Sequence, residues 1–252
     1  MPTLSMRVML CLACAFAAIP ATAADIGVSP TRLVLTPAQR VGTVTLRNND
    51  AGTLDFQVSL KRWSMQDGGA WLLEDAGADD GLTAYPLAFR VAPGKTQVVR
   101  VGIPRTLQVG DERAFRLLVL ELPRERPPGT VTGPQLLNQF SLPVFVNDGD
   151  AVPSLELMEG RIDGRIWRVA LRLAGDGHLD PGHALLRVYD GAGAQLAGIP
   201  LKLPYVLRGA VVELEVPLGE ACAAATRYAI EGGPLDGRQG SLPSGQQRRC
   251  GG

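Results

Sequence analysis

Few side chains in this 252-residue sequence are of kinds that do chemistry together. Its two histidines share the stretch Gly177-His-Leu-Asp-Pro-Gly-His183, where Asp180 would complete a two-histidine, one-carboxylate metal set. Structural zinc usually takes four protein ligands, and Pro181-Gly182 reads as a plain turn, so a loop is the preferred reading. Hydrolytic chemistry finds neither a Gly-x-Ser-x-Gly elbow nor a His-Glu-x-x-His pair, and no lone cysteine stands near a histidine. The glycine pairs Gly68-Gly69 and Gly191-Ala-Gly193 lack the lysine and the strand–helix setting of a phosphate loop. A basic patch interleaved with aromatics is also absent, and the formal charge is +0, which speaks against nucleic acid or an anionic membrane surface as partner. The residues therefore predict no enzyme, no metal and no cofactor.

The four cysteines divide into two pairs of different fate. Cys11 and Cys14 lie in an apolar run, Val8 to Ile19, that follows a single early charge and is too short to span a bilayer. Pro20 and Ala21-Thr22-Ala23 supply a small-residue cleavage site, so residues 1–24 read as an export signal cut after Ala23 or Ala24. Removing residues 1–23 takes Arg7 with it, leaving 25 − 1 = 24 cations against 25 acids, a formal charge of −1. Cys222 and Cys250 remain, and in an exported protein they are expected to pair, a closure that contributes on the order of 3 kcal/mol. No other apolar run reaches membrane-spanning length, so no membrane insertion is expected.

The elements that must position anything functional are strands. The chain is 46% hydrophobic but only 5% aromatic, with 30 Gly and 19 Pro, which fits many short strands between tight turns. Ile26 to Leu35 reads as a first strand, with Pro30 placing it near a sheet edge. Val41 to Arg47 alternates and stops at the turn cluster Asn48-Asn-Asp-Ala-Gly52. In Leu54 to Trp63, Leu54, Phe56, Val58 and Leu60 point one way while Asp55, Gln57, Ser59 and Lys61 point the other. Met65 to Ala84 is acidic and glycine-rich, a loop with a short strand at Ala70 to Leu73. Trp63 and Trp71 flank it and read as packing side chains. Lys95 to Ile103 alternates again. Arg113 to Pro123 and Gln135 to Val146 are two apolar runs joined by a Pro/Gly-rich gap longer than a hairpin needs. About seven strands over roughly 120 residues is the spacing of an immunoglobulin-like sandwich. Asn147 to Pro153 is a polar breaker cluster, and shorter strands beyond it read as a second β-sandwich. The expected organisation is all-β: an amino-terminal domain over 25–148 and a second over 149–252.

Several ordered stretches carry a resemblance. They are Ile26-Gly-Val-Ser-Pro-Thr-Arg-Leu33, Leu46-Arg-Asn-Asn49, Phe89-Arg-Val-Ala-Pro-Gly94 running into Gln97-Val-Val-Arg-Val101, Arg113-Ala-Phe-Arg116 ending at Glu121-Leu-Pro123, and Ser141-Leu-Pro-Val-Phe-Val146. Together they resemble the periplasmic PapD-like pilus chaperones, and the last is similar to the archaic branch of that family. The match covers nearly all of the amino-terminal half. Beyond it, domain size, Leu173-Ala-Gly-Asp-Gly-His178 and the two cysteines carry it. The resemblance implies two immunoglobulin-like domains in a boomerang, whose cleft binds pilin subunits that lack the last strand of their own sandwich. The chaperone lends its final amino-domain strand, donor-strand complementation, and delivers the pilin to an outer-membrane usher. A free chaperone that caps itself as a homodimer is a further partner the family suggests. The alternative is a secreted structural β-sandwich, an adhesin or interaction module; a carbohydrate-active sandwich lacks the acid/base pair it would need.

On this resemblance Gln135 to Val146 is the lent strand. Leu136, Phe140, Leu142 and Val144 share one face, and Leu137, Ser141 and Phe145 the other. A bulge near Pro143 would change which face meets the client. Val131, Leu137 and Gln139 are the candidate client contacts. The family holds the client's terminal carboxylate with a cleft arginine and lysine, through charge-assisted hydrogen bonds. Arg32 matches the arginine, and a solvated edge-strand arginine is the equal alternative. The lysine's position falls within Ser141-Leu142-Pro143, leaving Arg100 and Arg116 as substitute cations. Glu112 matches an acid of an interdomain ion pair, with Arg168 or the neighbourhood of Asp236 as partner, though a plain surface charge is the safer assumption.

Overall fold

The computed structural model describes residues 24–66, 68–124 and 135–251. The expected export signal lies outside these residues apart from Ala24, and so does Val131.

Alternation decides the amino-terminal strands. They are β1 (Ile26–Ser29), β2 (Leu33–Leu35), β3 (Val41–Asn48), β4 (Leu54–Met65), β5 (Trp71–Asp75), β6 (Thr83–Tyr85), β7 (Ala88–Val91), β8 (Thr96–Gly102), β9 (Arg113–Glu121) and β10 (Gln139–Val146). One sheet has the order β1-β3-β8-β6; the other runs β2-β10-β9-β4-β5, with β7 also on β4. Alternate residues of β4 and β9, among them Leu54, Phe56, Val58, Phe115, Leu117 and Val119, are buried in the core between the two sheets. At the first turn, the buried Asn48 amide donates to the carbonyls of Gly52 and Val91 and its oxygen accepts from the Asp50 N–H, so the breaker cluster is also a junction.

Two expectations need correction here. Ile26 to Leu35 is two strands, not one: β1 pairs with β3 in the first sheet, and after Pro30 the chain crosses to pair β2 with β10 in the second. Proline has no N–H for a ladder, so the crossing falls where a continuous strand would lose a bond. The Met65–Ala84 segment is also more ordered than read: β4 runs on to Met65 and β5 pairs with it from Lys61 to Met65.

The second domain comprises β11 (Leu155–Leu157), β12 (Arg161–Asp163), β13 (Ile166–Leu173), β14 (Gly182–Tyr189), β15 (Gln195–Leu203), β16 (Val211–Pro217), β17 (Arg227–Glu231), β18 (Gln239–Ser241) and β19 (Arg248–Arg249). They form a sheet β11-β13-β12-β19, with β16 on β13, facing a sheet β15-β14-β17-β18. Leu171, Leu173, Leu186 and Val188 are fully enclosed between them. Cys222 and Cys250 form a disulfide with Cα atoms 5.7 Å apart, tying the chain's end to the core beside β19. Closing a loop of this size contributes about 3 kcal/mol.

Candidate functional site: an open strand edge beside an interdomain cation cleft

Strand β10 pairs with β9 without interruption, from Gln139 opposite Leu120 to Val146 opposite Arg113. No bulge occurs at Pro143, which stands opposite Arg116. On its other margin β10 meets β2 only at Val144, Phe145 and Val146. Among the described residues, 139–143 therefore have one strand neighbour. The strand is shorter than expected, starting at Gln139 rather than Gln135; Leu136 and Leu137 precede it, both exposed. Its start is held by Glu121, a buried carboxylate that accepts from the backbone and side-chain N–H groups of Asn138.

Unbroken register settles which face is which. Phe140, Leu142, Val144 and Val146 enter the amino-domain core. Gln139, Ser141, Pro143 and Phe145 take the opposite face, with Gln139 and Ser141 exposed. Phe145 is buried because the second domain covers it: with Trp63, Ala114 and Leu207 it forms a small apolar cluster that Tyr205 also joins.

Arg116 is on this same outer face of the sheet. Its guanidinium carbon lies 3.7 Å from the Trp63 ring centroid, 4.4 Å from that of Trp71 and 5.5 Å from that of Tyr205. Only 4% of the residue is exposed, and Nη1 donates to the Ser141 carbonyl at 3.2 Å. Nε and Nη2 are buried with no hydrogen-bond partner among the described residues. Three ring faces offset part of the cost of burying a cation, but leaving its N–H groups unpaired stays expensive. That burial holds the guanidinium below its ordinary pKa, with Tyr205 acting the other way. One side of this enclosure is thin, since Trp71 is half exposed on the edge strand β5. The two tryptophans read as mere packing are thus the walls around a cation.

A chain of polar contacts crosses between the domains next to it. Register places Glu112, just before β9, beside Asn147, just after β10, and the Asn147 amide donates to Glu112 at 2.8 Å. Glu112 also meets His178 Nδ1 at 2.9 Å, while the imidazole stacks on Phe145 with ring centroids 3.4 Å apart. His178 Nε2 lies 3.4 Å from Asp180, and the other oxygen of Asp180 accepts from Arg32. The hydrogen bond to Asp180 raises the Arg32 pKa against an opposing desolvation. Burial, then Asp180, pushes the Tyr205 hydroxyl up, while Arg32 and Arg116 pull it down.

Glu112 is the clearest correction. Its side chain is 2% exposed, so it is no surface charge, and its partners are Asn147 and His178. Arg168 instead pairs with Asp163, Glu213 and Glu215 on its own sheet. The histidine stretch is not a plain turn either. Leu179 exchanges two backbone hydrogen bonds with Val206, and the loop ahead of His178 packs so closely that a Cβ on Gly175 would come within 2.4 Å of the Val152 carbonyl. His183 is apart, exposed on β14, and no group of three or more His, Cys, Asp or Glu is arranged to hold a metal among the described residues. Arg100 is on the exposed face of β8, in the other sheet. Of the sequence candidates, the structure thus gathers Arg32, Arg116 and Glu112 around the cleft and leaves Arg100 out. His178, Asp180 and Tyr205 were missed as cleft residues; the one available signal was a histidine at the end of the Leu173-Ala-Gly-Asp-Gly-His178 stretch.

Residues 25–147 match the family described as pili and flagellar-assembly chaperones, PapD N-terminal domain. The amino-terminal domain belongs to this family. Solved structures with the same fold extend the likeness beyond the PapD-type domain. The CsuC–CsuE chaperone–tip adhesion subunit pre-assembly complex, from archaic Csu pili of Acinetobacter baumannii, is 16% identical over 76% of this chain and 90% of that one, with a TM-score of 0.51. A complex of the SafA pilin with the SafB chaperone from Salmonella enterica is 13% identical over 84% and 90%, with a TM-score of 0.54. The class 5 fimbriae chaperone CfaA is 9% identical over 87% and 100%, with a TM-score of 0.57. No curated protein sequence matches the chain.

Proposed function

We propose that this protein is a periplasmic chaperone of the chaperone–usher pathway, of the archaic type, which holds pilin subunits by strand addition and delivers them to an outer-membrane usher. The observation that carries the reading is the half-covered β10: residues 139–143 offer a second margin that β2 does not reach. A pilin lacking its closing strand exposes an apolar groove and unpaired backbone, an aggregation hazard that such an edge can satisfy. Export by the leader at residues 1–24 brings the chaperone to its clients. No catalytic step or cofactor enters, and a homodimer pairing two open edges would protect the free protein.

Within this reading Leu137, Gln139 and, outside the described residues, Val131 meet the client. Arg32 and Arg116 receive its terminal carboxylate, Arg116 standing in for the missing lysine. Arg116 suits that role because Nε and Nη2 have no other acceptor among the described residues. For the client to reach them, Trp71 must move aside, which its place on an edge strand allows. Leu137→Glu is the direct test. Co-purification of a co-expressed pilin should be lost while the chaperone's thermal unfolding stays unchanged, because Leu137 is not part of the core. Full co-purification by a folded Leu137→Glu protein would sink the proposal.

A further inference from the structure

We propose that Asp180 is an internal stand-in for the client's terminal carboxylate, occupying Arg32 in the free protein and yielding it when a client binds. This rests on the strand-addition reading above and adds to it a residue from the second domain that sets how available the anchor is. A side-chain carboxylate and a chain-terminal carboxylate present the same pair of oxygens to a guanidinium, so the two compete for one fork. Arg32 and Asp180 are joined now, and both remain open to solvent, with side chains 42% and 48% exposed. An incoming carboxylate can therefore approach without unpacking the domain interface, and a screened pair is cheap to separate.

Displacement would not leave Asp180 stranded. One of its oxygens serves Arg32, and the other lies 3.4 Å from His178 Nε2. His178 is fixed independently, by Glu112 on Nδ1 and by the Phe145 ring beneath it. Because Nδ1 faces Glu112 and Nε2 faces Asp180, Asp180 can fall back on His178 when Arg32 is taken. The loop itself stays anchored through the Leu179–Val206 backbone bonds, so the exchange needs only side-chain rotation. Tyr205, the other titratable group near this pair, feels both Asp180 and Arg32.

The test uses the full chain and a fluorescein-labelled twelve-residue peptide of alternating valine and threonine, prepared with a free carboxyl terminus and as its amide. In wild-type protein the acid should bind more tightly than the amide. Asp180→Asn should tighten the acid about two- to fivefold, the range of an exposed pair, and leave the amide unchanged. Arg32→Ala should shrink the difference between the peptides to what Arg116 alone supplies. A folded Asp180→Asn protein with unaltered acid-over-amide preference overturns the stand-in role alone. Equal binding of the two peptides by wild type overturns the Arg32 anchor and this inference with it. Failure of both peptides to bind any variant overturns strand addition itself.

Discussion

Among the described residues, β10 has one strand neighbour from Gln139 to Pro143 and two from Val144 to Val146. Both halves share β9 and both send alternate apolar side chains into the same core, but on the outer face the open half carries Gln139, Ser141 and Pro143 where the closed half carries Phe145. The difference comes from over a hundred residues upstream, where the crossing after Pro30 leaves β2 only three residues long. Whether a strand is closed or available is thus a property of what lies beside it. The closed half also carries Phe145 against the second domain, so it is locked on its margin and on both faces.

The largest expected effect comes from putting the same charge in each half. Val144→Asp buries a carboxylate at a position with no exposure, and a loss above about 4 kcal/mol should abolish cooperative folding by circular dichroism. Ser141→Asp, on the exposed face of the open half, should change stability by less than about 0.5 kcal/mol while blocking client binding. Equal damage from both would break the comparison.

Arg116→Met probes the boundary between the halves, because Arg116 stands opposite Pro143 while its guanidinium holds the Ser141 carbonyl. Replacing a buried cation that has no carboxylate partner among the described residues with an apolar side chain of similar reach should leave stability intact or raise it by up to about 2 kcal/mol in denaturant titration. Client binding should fall at the same time. A stability loss would mean that the aromatic enclosure already compensates the charge.

The smallest effect is electrostatic. Asp50 accepts from the Gly52 amide and pairs with Arg124, at the foot of the connection that leads into the open half. Those contacts hold its carboxyl below the ordinary range, the Gly52 hydrogen bond first. A depressed folded pKa contributes stability that is present above the unfolded value and lost as pH falls through the folded one. Thermal stability should therefore drop below about pH 4, and Asp50→Asn should flatten that drop slightly.

The strands were legible because alternation is a local signal: Leu54, Phe56, Val58 and Leu60 declare their face without help. The two apolar runs at β9 and β10 were legible instead from their Val, Leu and Phe content and the turn residues that bound them. Pro30 was legible only as an interruption, since which sheet the chain enters next depends on partners far away. The cleft was harder still. Arg32 was reached through resemblance, but its partner Asp180 is 148 residues on, in another domain. Glu112 was read outward because nothing near it in sequence says that the register will set it beside Asn147 and under His178. A charge inside an otherwise apolar run, as in Ala-Phe-Arg116-Leu-Leu-Val, was a clue that needed no alignment: one cation in such company is either covered or in use.

Arg32 is on the short link between β1 and β2, so it is tethered to the strand that closes the last three residues of β10. A tug on that guanidinium is consequently a tug on the seam's zipper. Grip on a guest's tail and the width of the gap offered to its body would then be mechanically geared to each other.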